Sequence, residues 1–503
     1  MPEIHWSSEE PKAEAGQLLA VPLREAHEPA DLAQRFGNAV REAVERSPFK
    51  AKGGETFAFT REEGGVLQHV TLFGTGKGIA DASGLRQLAH DVVREGDRLG
   101  ARHVVLDLRG QPLLGKDGLG PAAAGGLIGI GIELGTYAYE RFINETKRKP
   151  RTVRDVTAIA ESTAPADGAR RGQLAAAGVF RARDLGNGPS DYVTPTHLAE
   201  VAAEIVEALD ADNHDVEITV LERDECERRG MGCFLGVARG SDQPPKFIHL
   251  TYRPRGGSKG RVALVGKGVT FDSGGYSLKP NDAMLDMKLD MCGAAAVIGA
   301  FEGAVKLQVP WELHAIVAAT ENMVSGRAYK LGDVLTASNG KTVEINNTDA
   351  EGRLTLADAL VYASNLEPDF ILDFATLTGA CLVALGPRLG GVMTNDETLC
   401  ADWMAAADRS GEGMWRLPLP EDLKEQLKSK VADMKNTGER WGGALTAGLF
   451  LSEFTEGQRW LHVDIAGPAM AAKPYGVTTP GSSGFPVPTI LEMLLGETRK
   501  TAQ

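Results

Sequence analysis

The chain has 503 residues, of which 43% are apolar and 24% charged, with 60 glycines and 25 prolines. This composition is that of a globular α/β protein and excludes a disordered or fibrous chain. The length predicts two or three domains, and we take two as the working number. The formal net charge of −14 disfavours binding to nucleic acid or to an anionic membrane through bulk electrostatics.

The sequence features that report on location all predict a cytoplasmic protein. The five cysteines are an odd number, are widely spaced and include no C-x-x-C pair, which is typical of a reducing compartment. The first residues, MPEIHWSSEEPKAEAG, contain early acids and no apolar core of a signal peptide. The longest uncharged stretch, between Asp117 and Glu133, is shorter than the roughly 20 apolar residues that span a bilayer.

The N-terminal third predicts a small α/β domain. The segments VLQHVTLFG, LRQLAHDVVREGDRL and HVVLDL follow one another as strand, helix and strand. The basic run KRKPR, which contains Pro150, predicts a linker, and we place the domains at 1–160 and 161–503. Further on, Thr194 and Pro195 have the residue types of an N-cap and first position of a helix.

The C-terminal two thirds predict a larger α/β domain with a mainly parallel sheet. From about residue 260, short apolar runs are followed by glycine-rich or acidic turns, and several turns lead into helical stretches such as AAAVIGAFEGAV and LTLADALVYASNL. The predicted strands are RVALVGKG, HAIVAAT, KTVEIN, FILDFATLTG and HVDIAG. In such sheets ligands bind beyond the carboxyl ends of the strands, so the residues after these runs are the candidates for a site.

Acids and lysines are concentrated at these strand ends, namely Lys267, Asp272, Lys279, Asp290, Asp349, Glu351 and Arg353. Four carboxylates facing one dry cleft would repel one another, and metal ions remove that conflict. Asp349 and Glu351 are two positions apart and point the same way in an extended segment, so both can reach one site. The pattern therefore predicts a two-metal hydrolase, with Lys279 facing a developing oxyanion and Arg353 holding an anion.

Several of these segments resemble one known family. NTDAEGRL, at residues 347–354, is similar to the signature of the leucyl (cytosol) aminopeptidase family, and GKGVTFDSGGYSLKPNDAMLDMKLDMCGAA is similar to its other metal-binding block. RDLGNGPSDYVTP, DFATLTGA, GGALTAGLFL and HVDIAGP extend the resemblance over most of residues 180–496. The N-terminal domain resembles the family only loosely.

The resemblance implies a ligand set and a pocket. It implies one metal bound by Asp272, Asp349 and Glu351, and a second bound by Lys267, Asp272, Asp290 and Glu351. It assigns Lys279 and Arg353 as catalytic residues, with Arg353 holding a bicarbonate that acts as general base. It places the side-chain pocket at Met287, Thr376, Gly379 and Ala466, although the segment TLTG is equally typical of a plain strand-to-helix turn.

The function that the resemblance implies is a metal-dependent leucyl aminopeptidase, a homohexamer that releases N-terminal, leucine-like residues from short peptides. It implies two divalent ions per subunit, zinc or manganese, although carboxylate ligands alone also accept magnesium and cobalt. Two other functions remain open. A two-metal phosphoesterase would use similar ligands, and a DNA-binding role, which the acidic charge disfavours, would show as salt-dependent retardation of duplex DNA.

Overall fold

The computed structural model describes residues 2–27, 29–79, 81–111, 120–160 and 165–496. The chain forms two compact units, residues 1–176 and 177–503. The predicted domain boundary lies between residues 160 and 161. Residues 161–164 lie outside the described ranges. No helix in the described parts of the chain is long and apolar enough to cross a membrane.

The first unit is built on a six-stranded sheet of order β1-β6-β5-β2-β4-β3, in which only the β3–β4 pair is antiparallel. The strands are β1 (Glu3–Ser7), β2 (Leu18–Leu23), β3 (Thr56–Glu63), β4 (Val66–Gly74), β5 (His103–Asp107) and β6 (Asp155–Ile159). The helices are α1 (Pro29–Phe36), α2 (Asn38–Arg46), α3 (Ala82–Leu99) and α4 (Pro121–Thr136), and α5 (Pro165–Asn187) contains the division between the units.

Strand β2 shows why this unit has helices on both faces of its sheet. Successive side chains of a strand point to opposite faces. Leu18 and Ala20 are buried in a core with α3 and α4, and Leu19 and Val21 are buried in a second core with α1 and α2. The predicted strand, helix and strand of this region correspond to β4, α3 and β5.

The second unit is built on an eight-stranded sheet of order β15-β14-β17-β13-β9-β10-β8-β7. Its strands are β7 (Asp215–Leu221), β8 (Lys246–Arg253), β9 (Arg261–Asp272), β10 (Glu312–Asn322), β13 (Phe370–Ala375), β14 (Gly390–Thr394), β15 (Met414–Arg416) and β17 (Trp460–Asp464). The four central strands β17, β13, β9 and β10 are parallel, and β8, β7 and β14 pair antiparallel to their inner neighbours. The prediction of a larger α/β domain with a mainly parallel sheet is confirmed.

Two small sheets complete this unit, and one of them corrects a prediction. β11 (Val334–Thr336), β12 (Thr342–Glu344) and β16 (Met434–Lys435) form a separate three-stranded sheet, and β18 (Met470–Ala471) pairs with β19 (Gly481–Ser482). The segment KTVEIN, predicted to belong with the runs of the parallel sheet, contributes β12 instead. Only Val343 of this three-residue strand is fully buried, whereas a central parallel strand is buried along its length.

Helices of the second unit cover both faces of the central strands. They are α6 (Pro195–Ala211), α7 (Arg223–Arg228), α8 (Gly232–Ala238), α9 (Asn281–Met284), α10 (Cys292–Lys306), α11 (Gly352–Ser364), α12 (Gly379–Leu385), α13 (Glu397–Ser410), α14 (Gly443–Ser452) and α15 (Val487–Leu495). On β9, Gly266 faces the first turn of α10 and Lys267 faces the first turn of α11. Thr194 caps α6 by accepting from the His197 amide at 3.2 Å, as predicted.

Candidate metal centre

Lys267 lies in the middle of the sheet, on strand β9 between β10 and β13. Its side chain is buried where α11 begins, and the absence of a side chain at Gly352 makes room for it. A Cβ atom at Gly352 would lie 2.4 Å from Lys267 Cε. The glycine of the segment NTDAEGRL therefore allows the helix to start directly against the lysine.

The Lys267 ammonium group is surrounded by oxygen atoms. Its Nζ lies 2.7 Å from Asp290 Oδ1, 2.9 Å from Glu351 Oε1 and 2.9 Å from the Thr376 carbonyl oxygen. Burial by itself lowers the pKa of Lys267, but Asp290, Glu351 and Asp272 outweigh it and hold the pKa above its usual value. In the absence of other cations, this lysine is the positive charge that holds two buried carboxylates together.

Lys279 makes an equivalent bridge on the other side of the cluster. Its Nζ lies 2.8 Å from Asp272 Oδ2 and 2.5 Å from Asp349 Oδ1. The chain turns back after β9 through Gly274, whose φ of +85° is unfavourable for other residues and whose Cβ would lie 2.9 Å from Asp349 Oδ1. The glycine pair in FDSGG thus brings Lys279 back to the strand end from which it departs.

Three carboxylates form the centre of the cluster. Oxygen atoms of Asp272, Asp290 and Glu351 all lie within 4.8 Å of one another, and all three residues are buried. Burial and Glu351 raise the pKa of Asp272 to about 7, and burial raises that of Asp290. Glu351 Oε2 has no hydrogen-bond partner among the described residues. Anionic oxygens this close, with Glu351 Oε2 unsatisfied, together with a lysine amine, fit the donor set of a divalent-metal site.

Arg353 lies in the first turn of α11, two residues after Glu351. It is buried, and its Nη1 donates to the Asn436 carbonyl oxygen at 2.7 Å. Its Nε has no hydrogen-bond partner among the described residues. Burial lowers the pKa of Arg353 to about 10, so the side chain stays charged at neutral pH and can bind an anion.

The four predicted pocket residues occupy three segments near the cluster. Thr376 contacts the cluster directly, because its Oγ1 donates to Asp290 Oδ1 at 2.8 Å. Gly379 begins α12 on the same loop, and Met287 begins a short 3₁₀ helix, Met287–Leu289, that leads into Asp290. Ala466 follows β17 and donates its amide to Asp464 at 3.1 Å.

The structure also shows supporting residues that our sequence analysis missed. Asn322 ends β10 directly beside Asp272, and its Nδ2 donates to Asp272 Oδ1 at 2.7 Å and to the Thr348 carbonyl at 2.9 Å. Tyr329 donates to the same carbonyl at 2.8 Å. The strand-end argument that selects Asp272 applies equally to Asn322 and was sufficient to find it.

Asn436 supports the metal-ligand loop from a distant part of the chain. It is fully buried, and its Oδ1 accepts from the amides of Asn346 and Asn347 at 3.0 and 3.3 Å. Its Nδ2 donates to the Asn347 carbonyl at 2.6 Å, and its own carbonyl accepts from Arg353. It lies some 85 residues from that loop, and no local motif marks it.

Comparison with known proteins assigns the chain to a family. The catalytic-domain model of the cytosol aminopeptidase family matches residues 180–491, and the model of that family's N-terminal domain matches residues 20–146. A probable cytosol aminopeptidase of Parasynechococcus marenigrum is 45% identical over 480 residues, covering 94% of this chain and 96% of the relative. One of Rippkaea orientalis is 44% identical over 466 residues, with 92% of each chain covered.

Solved structures agree with the sequence comparisons. A mutant of tomato leucine aminopeptidase superimposes with a TM-score of 0.89 at 34% identity, covering 98% of this chain and 96% of the tomato chain. The bottromycin maturation enzyme in complex with Mn gives a TM-score of 0.83 at 35% identity, covering 96% and 99%. These matches confirm the resemblance that the motifs indicate. The chain therefore belongs to the cytosol (leucyl) aminopeptidase family and is a metal-dependent aminopeptidase.

Proposed function

We propose that this protein is a two-metal aminopeptidase that releases N-terminal residues, leucine-like ones preferentially, from short peptides. The observation that carries the proposal is the pair of lysine bridges. Lys267 joins Asp290 to Glu351, and Lys279 joins Asp272 to Asp349, so the cluster has two separate positions at which carboxylates converge on a positive charge. Two-metal hydrolases likewise have two neighbouring cation positions that are held by carboxylates.

The charges of the cluster support two ions as well. Four carboxylates face two lysines and Arg353, which leaves one net negative charge. Two divalent ions would convert this to a net positive charge even with Lys267 neutral, the form in which its amine is a ligand. Such a site attracts an anion beside Arg353 and stabilises negative charge that develops on the substrate.

We propose that Asp272, Asp349 and Glu351 hold one ion and that Lys267, Asp272, Asp290 and Glu351 hold the other. When bound, the ions supply Lewis acidity, which polarises the scissile carbonyl and lowers the pKa of water. With Asp272 and Asp349 engaged as ligands, the Lys279 ammonium is free to donate to the developing oxyanion. Arg353 Nε, which has no hydrogen-bond partner within the described part of the chain, donates to a bicarbonate and so keeps a proton acceptor beside the reacting groups.

We propose further that Met287, Thr376, Gly379 and Ala466 receive the N-terminal side chain. Leucine as the preferred residue is supported by the similarity to the tomato enzyme, and manganese as a cofactor, with zinc as the alternative, by the similarity to the Mn complex. Family membership supports a cytoplasmic homohexamer. For residues 1–160 we propose a role in oligomerisation or substrate access.

The test is hydrolysis of leucine p-nitroanilide by chelator-stripped protein to which Mn²⁺ or Zn²⁺ is returned, with bound metal counted by elemental analysis. We expect restored activity and two ions per chain, and at least roughly tenfold less activity in Asp349→Asn. Asp333→Asn is the matched control, because Asp333 is also partly exposed and paired with a lysine, Lys330. Inactivity on every aminoacyl p-nitroanilide and dipeptide, with turnover of p-nitrophenyl phosphate, would establish the phosphoesterase instead.

A further inference from the structure

Asp464 connects the two loops that carry three of the four proposed pocket residues. It ends strand β17, next to Ala375 at the end of β13, and it is fully buried. Its carboxylate accepts from the Leu377 amide at 3.3 Å, the Thr378 amide at 3.4 Å and the Thr378 hydroxyl at 2.6 Å. It also accepts from the Ala466 amide at 3.1 Å. One carboxylate thus fixes the loop that follows β13 and the loop that follows β17.

Burying a carboxylate costs free energy that a simple turn does not require. This cost indicates that Asp464 does more than stabilise the local backbone. No lysine or arginine forms an ion pair with Asp464 within the described ranges, so its desolvation is offset by the charge of the neighbouring His462 and by these hydrogen bonds. The start of α12 does not need it as a cap, since Thr378 Oγ1 already accepts from the Cys381 amide at 3.0 Å. Because the single hydroxyl proton of Thr378 is donated to Asp464, the contact fixes the loop's orientation.

The loop after β13 has a second anchor, and that anchor is on the metal side. The Thr376 carbonyl accepts from Lys267, and the Thr376 hydroxyl donates to Asp290. Neither contact involves Asp464. Loss of Asp464 therefore leaves the bonds between Thr376 and the cluster in place, while residues 377–379 and Ala466 lose their shared acceptor.

We propose that Asp464 is a positioning residue for side-chain selectivity: it holds Gly379 and Ala466 at the distance that fits a leucine-sized side chain, and it is not needed for metal binding. This inference rests on the proposed function and deepens it. Of the residues that bond Asp464, Ala466 belongs to the proposed pocket and Thr378 directly precedes Gly379, and Asp464 itself is fully buried.

The test measures kcat/KM for leucine and alanine p-nitroanilides together with bound metal. Asp464→Asn keeps the shape but replaces one acceptor oxygen by an N–H donor that faces other donors. We expect the leucine-to-alanine ratio of kcat/KM to fall by roughly tenfold, since a pocket distinguishes apolar side chains by about that factor, while metal content stays at the wild-type level. Asp396→Asn is the control, because the Asp396 carboxylate also accepts from a backbone amide, that of Leu399, but at the start of α13 and away from the cluster.

A second pair of variants keeps the inference testable if Asp464→Asn does not fold. Thr378→Val removes the hydroxyl that donates to Asp464, and Thr378→Ser keeps it. We expect the ratio to fall in the valine variant and to be retained in the serine variant. The inference is overturned if the leucine-to-alanine ratio of kcat/KM is unchanged in both Asp464→Asn and Thr378→Val. It is also overturned if activity falls equally on both substrates and bound metal is lost. In either case an active wild type leaves the proposed function intact. A wild type that cleaves neither substrate overturns both.

Discussion

Lys267 and Glu351 form a buried ion pair at the centre of the sheet, with Nζ 2.9 Å from Oε1 and side chains that are 4% and 1% exposed. The pair links β9 to the start of α11, so it stabilises the fold of the metal-free protein as well as the geometry of the cluster. The stability of the metal-free protein is therefore expected to depend strongly on Lys267.

We expect Lys267→Met to destabilise the chelator-treated protein by about 3–5 kcal/mol, because it leaves Asp290 and Glu351 buried without their cation. Denaturant unfolding followed by tryptophan fluorescence measures the change. Lys428→Met is the control, since Lys428 and its partner Glu425 are both 69% exposed and such pairs contribute only about 0–1 kcal/mol. Equal effects of the two substitutions would show that burial does not matter for this pair.

A glycine governs the approach of α10 to the sheet. A Cβ atom at Gly293 would lie 2.0 Å from the Phe374 carbonyl oxygen and 2.9 Å from the Lys267 amide nitrogen, and both are backbone atoms. We expect Gly293→Ala to cost roughly 1–3 kcal/mol or more and to lower the melting temperature seen by circular dichroism. Gly326→Ala, where the new Cβ meets no atom within 4 Å, should leave the melting temperature nearly unchanged. A wild-type melting temperature for Gly293→Ala would contradict the close packing.

The sequence predicted the large sheet and the cluster for one physical reason. Strands β9 and β13 are buried along almost their whole length, so their apolar runs can be recognised without knowing which strands lie beside them. Lys267 and Asp272 belong to the run that forms β9, so recognising that strand also locates these two residues. Asp464 and Asn436 act through hydrogen bonds to backbone groups that are distant in sequence. Because any residue supplies a backbone amide or carbonyl, such contacts leave no pattern of residue types. The sequence therefore shows Asp464 and Asn436 but does not show which backbone groups they bond.

A pair of buried histidines makes stability depend on pH. His249 Nε2 lies 2.9 Å from His314 Nδ1, and His249 Nδ1 lies 3.0 Å from Tyr362 Oη. Burial and His314 lower the pKa of His249 to about 4. Since this value is below that of an unfolded histidine, the stabilisation is fully present above about pH 6.5 and is lost as the pH falls from there towards 4.

We expect His249 to contribute roughly 2 kcal/mol to the loss of stability between pH 7 and pH 5. The measurement is the change in melting temperature between these two pH values. The change should be smaller in His249→Asn than in the wild type, because the variant lacks the histidine whose folded-state pKa is lowered. An identical pH dependence in His249→Asn and wild type would show that this pair does not titrate on unfolding.

The final prediction concerns Asn436, whose side chain holds the backbone of residues 346 and 347 and whose carbonyl holds Arg353. These contacts fix both ends of the segment that carries Asp349 and Glu351. Asn436→Ala removes the side-chain bonds and leaves two backbone amides and a carbonyl, all partly buried, without their partner. Mutation of residues that orient metal ligands typically lowers metal affinity by about 10–100-fold, so we expect Asn436→Ala to weaken metal binding by a factor in that range.

The measurement is titration of the chelator-stripped protein with Mn²⁺ by calorimetry. Asn395→Ala is a matched control, because Asn395 also bonds two backbone groups, the Gln458 carbonyl and the Trp460 amide, but at the end of the sheet away from the cluster. Both substitutions should lower the melting temperature, since each removes side-chain hydrogen bonds to backbone groups. Only Asn436→Ala should weaken metal binding, because only its partners carry the ligands. Equal metal affinities in the two variants would mean that the loop holds its shape without Asn436.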